Sequence, residues 1–273
     1  EMQCHYCGNT IPSPRKCPHC GSYSFAYGAP GTQRIEQNLK ILFPEAKILR
    51  MDSDSARQRD TYKSMYNRMK NREVDILLGT QMISKGLDFP LVTLVGIVMA
   101  DISLNLPDFR AAERTFQLIT QVAGRSGRRN KTGDVIIQTY NPQHYAIESA
   151  SQQNYIRFAT EELGYRKKLY YPPYYRLARI LFQSTDLETL KKEISNVKEV
   201  LYILHRQFPA PQLFLLGPST APFSKISSYY RYHLIFKAQT VKVLQGAIKL
   251  FNSVYNCPSN IRKQIDIDPN NLM

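Results

Sequence analysis

Length, composition and charge already exclude several classes of protein. The 273 residues are enough for about two domains, and an apolar content of 43% permits hydrophobic cores and argues against a disordered tail. The net charge of +14 favours a polyanionic partner such as nucleic acid, with a merely basic protein as the alternative. No stretch approaches the ~20 apolar residues of a membrane helix, and no signal peptide opens the chain, so we expect a cytoplasmic protein without a membrane partner.

Two C-x-x-C pairs lie near the start of the chain, at Cys4, Cys7, Cys17 and Cys20. Two such pairs have the spacing of a Cys₄ zinc site, and the glycine after each pair suits a tight knuckle. A redox-active pair and disulfides are the alternatives, although a redox pair normally stands alone before a helix and disulfides fit a Cys-poor chain badly. The sequence predicts a zinc-knuckle module over residues 1–25. Because the chain begins at Glu1 so close to this motif, we also expect it to be part of a longer protein.

Helical and strand patterns alternate over residues 26–160. In chain order they predict a helix over 35–42, a strand over 46–51, a helix over 56–72, strands over 74–78 and 92–99, a helix over 109–119 and a strand over 135–139. Strands that alternate with helices favour a parallel sheet covered on both faces. Ligands of such sheets bind at the carboxyl ends of the strands, so the loops that follow the strands are candidate functional sites.

The loop after the strand at 74–78 reads GTQMISKGLDFP, residues 79–90. Gly86 lets the backbone approach a ligand closely, Thr80 offers a hydroxyl and an N–H group to a phosphate, and Asp88 supplies a carboxylate. Each of these residue types is common in loops, but together they suit a site that handles phosphate.

A second loop reads QVAGRSGRR, residues 121–129. Arg125 and Arg128 are three residues apart, so on a helical turn both guanidinium groups face the same way. Paired arginines stabilise the charge of a transferring phosphoryl group. When this motif is taken alone, a basic turn is the favoured explanation, but Gln121 and the loop at 79–90 reverse that preference towards phosphate binding.

The pattern changes after residue 160. It predicts a helix-like stretch over 145–165 that leads into this region, then strands over 177–183, 213–216, 232–236 and 261–267 and helices over 187–208 and 241–255. This order, βαββαβ, is that of a ferredoxin-like domain.

Two runs in this last region combine tyrosines with basic residues. The first is YRKKLYYPPYYR, residues 165–176, and the second is SKISSYYRYH, residues 224–233. Aromatic faces and positive charges are what single-stranded nucleic acid binds. Packing of the tyrosines inside the domain is the alternative for both runs.

Several of these motifs resemble a known helicase family. The first loop resembles motif V and the second motif VI of superfamily 2 helicases. With PDFRAAERTFQLITQVAGRSGR, the C-x-x-C pairs, YPPY and IDIDP, the whole chain is similar to the C-terminal part of bacterial primosomal replication-restart DNA helicases. The resemblance implies an α/β fold, with a second RecA-like helicase lobe and parallel sheet over 26–160. This lobe would lie between the zinc-knuckle module and an α+β ferredoxin-like domain over 161–273.

The resemblance also implies a role for individual positions. Thr80 and Lys85 would contact the DNA backbone. The positions implied in binding the nucleotide are Gly86, Asp88 and Gln121. The implied catalytic residues are Arg125 and Arg128, which face the ATP phosphates, with Arg128 as the arginine finger.

The implied activity is ATP-dependent 3′–5′ DNA unwinding that recognises stalled or forked DNA and initiates primosome assembly. The implied partners are single-stranded and forked DNA, single-stranded-DNA-binding protein and other primosome proteins. Family members hold two zinc ions with eight cysteines, so four cysteines imply one ion or none here.

ATP and magnesium would bind only with a first helicase lobe, because this sequence has no G-x-x-x-x-G-K-[ST] loop. We therefore expect the chain alone not to hydrolyse ATP. The alternative is a standalone zinc-containing nucleic-acid-binding or scaffold protein with no motor activity.

Overall fold

A computed structural model describes residues 2–3, 10–12, 16, 31–51, 59–80, 91–124 and 133–273. They form two compact units. The α/β unit comprises the described parts of Ser24–Leu104 and Ala112–Phe158, and the C-terminal unit contains Asn105–Ala111 and Ala159–Met273. Among the residues that the structure describes, no helix is long and apolar enough to cross a membrane.

Short strands alternate with helices in the α/β unit. In chain order its elements are α1 (Thr32–Leu42), β3 (Ile48–Met51), α2 (Arg59–Lys70), β4 (Ile76–Gly79), β5 (Leu94–Ile97), α3 (Asp101–Leu104), α4 (Ala111–Ala123), β6 (Asp134–Ile137) and α5 (Tyr145–Ser151). They follow two short antiparallel strands in the sequence, β1 (Met2–Gln3) and β2 (Thr10–Ile11). Strands β3 and β4 pair in parallel, and so do β5 and β6.

The sequence predictions for this unit are largely confirmed. All four predicted strands are present with ends shifted by a few residues, and both described pairs are parallel as expected. The single helix-like stretch predicted over 145–165 is wrong, because the chain forms two helices there, α5 and α6 (Tyr155–Lys168). Gln153 interrupts the helix with a φ of 51°, and the Asn154 side chain caps α6 by accepting a hydrogen bond from the N–H of Arg157.

Apolar side chains of α4, α5 and α6 hold the α/β unit together. Phe116 and Ile119 of α4 are buried with Ile147 of α5, and the rings of Phe116 and Phe158 stack with their centroids 4.2 Å apart. Because Phe116 and Ile119 are three residues apart, they lie on the same face of α4. This packing fixes which side of α4 is left exposed.

The C-terminal unit is a four-stranded sheet with two helices. After α6 its elements are β7 (Arg176–Ser184), α7 (Leu187–Gln207), β8 (Leu213–Ile226), β9 (Tyr229–Ala238), α8 (Val241–Val254) and β10 (Arg262–Ile267). The order in the sheet is β10-β7-β9-β8, with every neighbouring pair antiparallel. The predicted sequence of elements, βαββαβ, is observed, and β8 and β9 extend beyond their predicted ends up to a tight turn at Ser227.

Local signals explain where the two helices begin. Asp186 precedes α7, and its carboxylate accepts hydrogen bonds from the N–H groups of Glu188 and Thr189. Thr240 precedes α8 and accepts a hydrogen bond from the N–H of Val243. Such N-caps satisfy backbone donors that have no partner within the first turn of a helix.

The main core lies between the sheet and these two helices. Every second residue of β7 and β9 points into it, including Ile180 and Phe182 on β7 and Phe236 on β9. Phe236 meets Phe251 of α8 edge to face, with ring centroids 5.9 Å apart. Burial of these large apolar side chains is the dominant stabilising contribution in this unit.

The opposite face of the sheet has a second, smaller core that includes residues from far away in the sequence. Tyr171, Leu177, Ile235 and Leu272 are buried together, with Phe109 and Leu216 packed against them. The ring of Phe109 stacks on Tyr171, with centroids 4.9 Å apart and planes 7° apart.

Polar bonds hold the same segment in place. The carboxylate of Asp108 accepts a hydrogen bond from the N–H of Leu272 at 3.3 Å. The guanidinium of Arg110 donates to the carbonyl oxygens of Pro269 and Asn270 at 3.2 and 2.8 Å. Asn105–Ala111 is therefore an integral part of the C-terminal unit, although it precedes α4 in the sequence.

Replacement of Phe109 tests this second core. Phe109→Ala removes the ring that covers Tyr171, so we expect the free energy of unfolding to fall by about 3 kcal/mol. Urea unfolding of the 273-residue chain, followed by circular dichroism, measures the change. Tyr202→Ala is the matched control, because Tyr202 on α7 is 75% exposed and its loss should change stability by less than about 0.5 kcal/mol. Equal losses in the two variants would contradict the packing described here.

Candidate nucleotide and nucleic-acid site

Thr80 and Gln121 are the two predicted site residues within the described part of the chain. Thr80 directly follows β4 and is exposed, so it stands at the carboxyl end of a parallel strand. This is where ligands of parallel sheets bind. The location agrees with the expectation drawn from the first loop.

Gln121 lies in the last turn of α4 and is also exposed. The buried face of α4 carries Phe116 and Ile119, and a residue two positions beyond Ile119 points roughly to the opposite side of the helix. Gln117, one turn earlier on that exposed side, donates to the carboxylate of Glu113 at 3.2 Å. The fold therefore leaves Gln121 accessible to a ligand without cost to the core.

The other predicted site residues lie outside the described residues. They are Cys4, Cys7, Cys17, Cys20, Lys85, Gly86, Asp88, Arg125 and Arg128. Among the residues that are described, no group of three or more His, Cys, Asp or Glu side chains is placed to hold a metal ion. Cys257 is described and partly buried, and its thiol contacts the carbonyl oxygen of Ile261 at 3.4 Å.

The buried carboxylate of Asp101, at the carboxyl ends of β5 and β6, was not identified from the sequence. Asp101 begins α3 shortly after β5, and it accepts hydrogen bonds from the hydroxyl of Thr139 at 2.9 Å and the N–H of Tyr140 at 3.0 Å, both just after β6. Burial alone would raise the pKa of Asp101, but these hydrogen bonds outweigh it and the pKa lies below its ordinary value. Asp101 thus ties together the ends of two strands at the edge where a parallel sheet binds its ligands. An acidic residue soon after an apolar run was the available signal.

The first tyrosine run serves mainly to pack the C-terminal unit. Tyr171 is buried beneath Phe109, and buried Tyr175 donates its hydroxyl to the carbonyl oxygen of Pro211 at 3.0 Å. The ring of Tyr170 stacks on Phe214 with centroids 4.3 Å apart. These contacts favour the structural alternative for this run.

At the end of the β8–β9 hairpin, two partly buried tyrosines of the second run each lie beside an exposed basic side chain. The ammonium of Lys225 lies 4.5 Å from the ring centroid of Tyr230, and the guanidinium of Arg262 lies 4.4 Å from that of Tyr229. These cation–π pairs hold positive charge beside aromatic rings, a combination that suits single-stranded nucleic acid. Arg231, in contrast, is buried.

Buried basic residues line the face of the sheet away from α7 and α8. Lys237 on β9 donates to the carbonyl oxygen of Leu169 at 2.9 Å, and its ammonium lies 3.4 Å from the ring centroid of Tyr171. Burial lowers the pKa of Lys237 to about 8. Further along the same face are Arg179 on β7 and His233 on β9. The alternation of apolar and basic residues in YYRYHLIFKA, residues 229–238, was the signal that could have found this face.

The lowered pKa of His233 has a measurable consequence for the free energy of unfolding. Burial, followed by repulsion from Arg179 and Arg231, lowers the pKa of His233 from 6.5 to about 4 in the folded chain. The unfolded chain takes up this proton at a higher pH than the folded chain does. The contribution of His233 to the free energy of unfolding is therefore fully present above pH 6.5 and is lost progressively as the pH falls towards 4.

We expect His233→Gln to make the loss of stability between pH 6.5 and 4 less steep, by up to about 1.4 kcal/mol per pH unit. Chemical unfolding at a series of pH values measures this slope. His205→Gln, at an exposed position of α7, is the control and should keep the slope of the original chain. An unchanged slope in His233→Gln would contradict the burial of a neutral imidazole.

Two domain families match the chain. The helicase conserved C-terminal domain matches residues 27–130, and the primosomal protein N C-terminal domain matches residues 167–270. The first match covers most of the α/β unit with Thr80 and Gln121, and the second covers the four-stranded sheet. The chain therefore combines a region similar to a helicase C-terminal domain with a following region similar to a primosomal domain.

Comparison with individual proteins gives a more specific result than the domain families. The chain is 39% identical to replication restart protein PriA of Bacillus subtilis over 100% of this chain and 34% of that protein. It is 39% identical to PriA of Treponema pallidum over 100% of this chain and 41% of that protein, and 38% identical to PriA of Synechocystis over 98% and 32%. The chain thus spans about a third to two fifths of the length of these relatives. Along its whole length it is similar to the C-terminal part of PriA, as the motifs predicted.

Proposed function

We propose that this chain is the C-terminal part of an ATP-dependent 3′–5′ DNA helicase that recognises stalled or forked DNA and initiates primosome assembly. The similarity of this chain, over its full 273 residues, to part of PriA carries this proposal. The match to a helicase C-terminal domain favours it over a standalone nucleic-acid-binding or scaffold protein. The partners would be single-stranded and forked DNA, single-stranded-DNA-binding protein and other primosome proteins, in the cytoplasm.

In this proposal the α/β unit acts as the second RecA-like lobe. Thr80 and Lys85 contact the DNA backbone, while the nucleotide is bound by Gly86, Asp88 and Gln121. Exposure of Thr80 at a strand end and of Gln121 at the start of the predicted motif supports these roles. ATP and magnesium require a first lobe with a phosphate-binding loop, which this sequence lacks. The chain alone would therefore not hydrolyse ATP.

Arg125 and Arg128 would supply the charge that stabilises the transferring phosphoryl group, with Arg128 as the finger. Such a group acts in the transition state and contributes little to DNA binding. The chemistry would therefore depend on residues of both lobes at once.

This division of roles is tested in the full-length protein. Arg128→Ala should lower DNA-stimulated ATP hydrolysis by about 10³-fold or more and leave the affinity for forked DNA nearly unchanged. Gln121→Ala should lower ATP hydrolysis as well, whereas Gln117→Ala, on the same exposed side of α4, should not. Unchanged turnover in Arg128→Ala would refute the finger role, and equal effects of the two glutamine changes would refute the role of Gln121.

We also propose a zinc ion bound by Cys4, Cys7, Cys17 and Cys20. Four thiolates in two C-x-x-C pairs are a donor set that fits tetrahedral zinc. In the intact family a second ion would bind to further cysteines. The module would act as a recruiting surface for primosome proteins.

Metal analysis of the purified 273-residue chain should find about one zinc ion per chain. Cys17→Ser should lose the ion, since three thiolates hold zinc less well than four. Cys257→Ser is the control, because the thiol of Cys257 contacts a carbonyl oxygen elsewhere in the C-terminal unit, and it should keep the ion. A zinc content near zero in the unchanged chain would refute the site.

The C-terminal unit would be a ferredoxin-like domain, which the sheet order β10-β7-β9-β8 and its βαββαβ connections support. The cation–π pairs at the hairpin end, whose basic side chains are exposed, are its best candidates for contact with single-stranded DNA.

A further inference from the structure

Three basic side chains lie next to each other on the face of the sheet away from α7 and α8. Side chains of a strand alternate between faces, and Arg179, Arg231 and His233 share the parity of Leu177 and Ile235 in the second core. Strands β7 and β9 are neighbours, with Arg179 opposite Ile235. His233 is therefore two residues from Arg231 along β9 and diagonal to Arg179, within about 8 Å.

All three side chains are almost completely buried. Arg179 is 9% exposed, Arg231 is 6% exposed and His233 is 8% exposed. Each has a buried nitrogen without a hydrogen-bond partner among the residues that the structure describes, namely Nε of Arg179, Nε of Arg231 and Nδ1 of His233. Buried polar nitrogens without partners are rare and costly, so three of them on one face of the sheet call for an explanation.

The acceptors around the cluster do not balance its charge. Arg179 donates to the carbonyl oxygen of Met273 and lies 3.6 Å from the carboxylate of Asp266. Arg231 donates to the carbonyl oxygen of Phe223 at 3.3 Å. Arg179 is thus compensated by Asp266 and by the main-chain oxygen of Met273, the last residue of the chain. Among the described residues the buried guanidinium of Arg231 has only a neutral carbonyl oxygen as its acceptor, and a buried positive charge is stable only when an anion offsets it.

Polar residues at the edge of the cluster are more accessible. Gln183 lies opposite Arg231 on β7, Ser219 lies opposite His233 on β8, and both are partly exposed. Both side chains can donate a hydrogen bond. They provide a polar route from solvent to the buried nitrogens.

We propose that Arg179, Arg231 and His233 form a binding site for an oxyanion of the phosphate class. A phosphate accepts several hydrogen bonds at once, and guanidinium groups donate to it in a fixed geometry. A cation would be repelled, and a neutral ligand would leave the positive charge uncompensated. The phosphate is either a free ion or a phosphate group of a nucleic acid, and the site goes beyond the helicase and zinc roles proposed above.

Histidine resonances of the 273-residue chain provide the test. The chain has five histidines, and His233→Gln identifies the signal of His233 in the NMR spectrum. Inorganic phosphate is added while sodium chloride is withdrawn to keep the ionic strength constant. We expect a saturable shift of the His233 signal and a rise of its pKa from about 4, because a bound phosphate anion favours the imidazolium form.

Two arginine variants make the test specific. Arg231→Gln should weaken phosphate binding about tenfold or more, since a charge-assisted hydrogen bond to the ion is lost. Arg176→Gln also removes one positive charge, from β7, but Arg176 is 52% exposed and points away from the cluster. The affinity of this variant for phosphate should therefore equal that of the unchanged chain. The titration of the unchanged chain remains decisive if Arg231→Gln fails to fold.

The outcomes separate support from refutation. No shift of His233 with phosphate, a shift of equal size with chloride, a shift with acetate but none with phosphate, or equal weakening in both arginine variants would overturn the proposal. A saturable phosphate shift supports it. Addition of single-stranded DNA then distinguishes the sources. A DNA-induced shift that phosphate reverses assigns a nucleic-acid phosphate, and a shift with phosphate alone assigns the free ion.

Discussion

Alternation of side chains along β7 and β9 gives the C-terminal sheet two faces with different chemistry, and most features of this unit depend on that division. One face carries Ile180, Phe182 and Phe236 and is covered by α7 and α8. The other carries Leu177 and Ile235 at one end and basic residues at the other. A slip of one residue in the pairing of β7 with β9 would exchange the two sets and bury the basic residues against the helices. The large apolar core therefore fixes the register on which the basic face depends.

Buried charge is accommodated on that second face in three different ways. Lys237 uses a carbonyl oxygen and the face of an aromatic ring, and its pKa falls to about 8. Arg179 uses a carbonyl oxygen and a carboxylate at the edge of the sheet. His233 remains neutral, because its pKa is lowered to about 4. Basic residues of this face thus differ in how completely their neighbours compensate their positive charge. The basic side chains with the least compensation lie nearest the polar edge of the face.

Features encoded by neighbouring residues were predictable from the sequence. The sequence pattern predicted α7 and α8 with nearly their observed ends, and the resemblance pointed to the family. The N-caps at Asp186 and Thr240, which the structure shows, explain where the two helices begin. The break at Gln153 was missed, because the sequence was interpreted as one helix over 145–165. The N-cap residue Asn154 was the available local signal that a second helix begins there. Of the candidate site, Thr80 directly follows a strand, as the sequence pattern predicted. The roles of all the site residues, Thr80 and Gln121 included, stay predictions.

Contacts between distant parts of the chain were beyond the reach of any local pattern. Asp108 bonds to Leu272 across 164 residues of sequence, and neither residue belongs to a motif that names the other. The sequence around Phe109 carries the periodicity of a helix that starts only at Ala111, so that ring was assigned to the wrong element. The tyrosine run was equally ambiguous, since Tyr171 and an exposed tyrosine look the same in sequence.

The contribution of Asn105–Ala111 to the C-terminal unit makes that unit discontinuous in the gene. An expression fragment cut just before residue 159 would contain the whole primosomal domain match, yet it would lack the ring that covers Tyr171 and the partners of the backbone near Leu272. Such a fragment would expose the apolar surface around Tyr171 to solvent, and exposed apolar surface promotes self-association. A short linker that restores residues 105–111 to the fragment would be the sounder design.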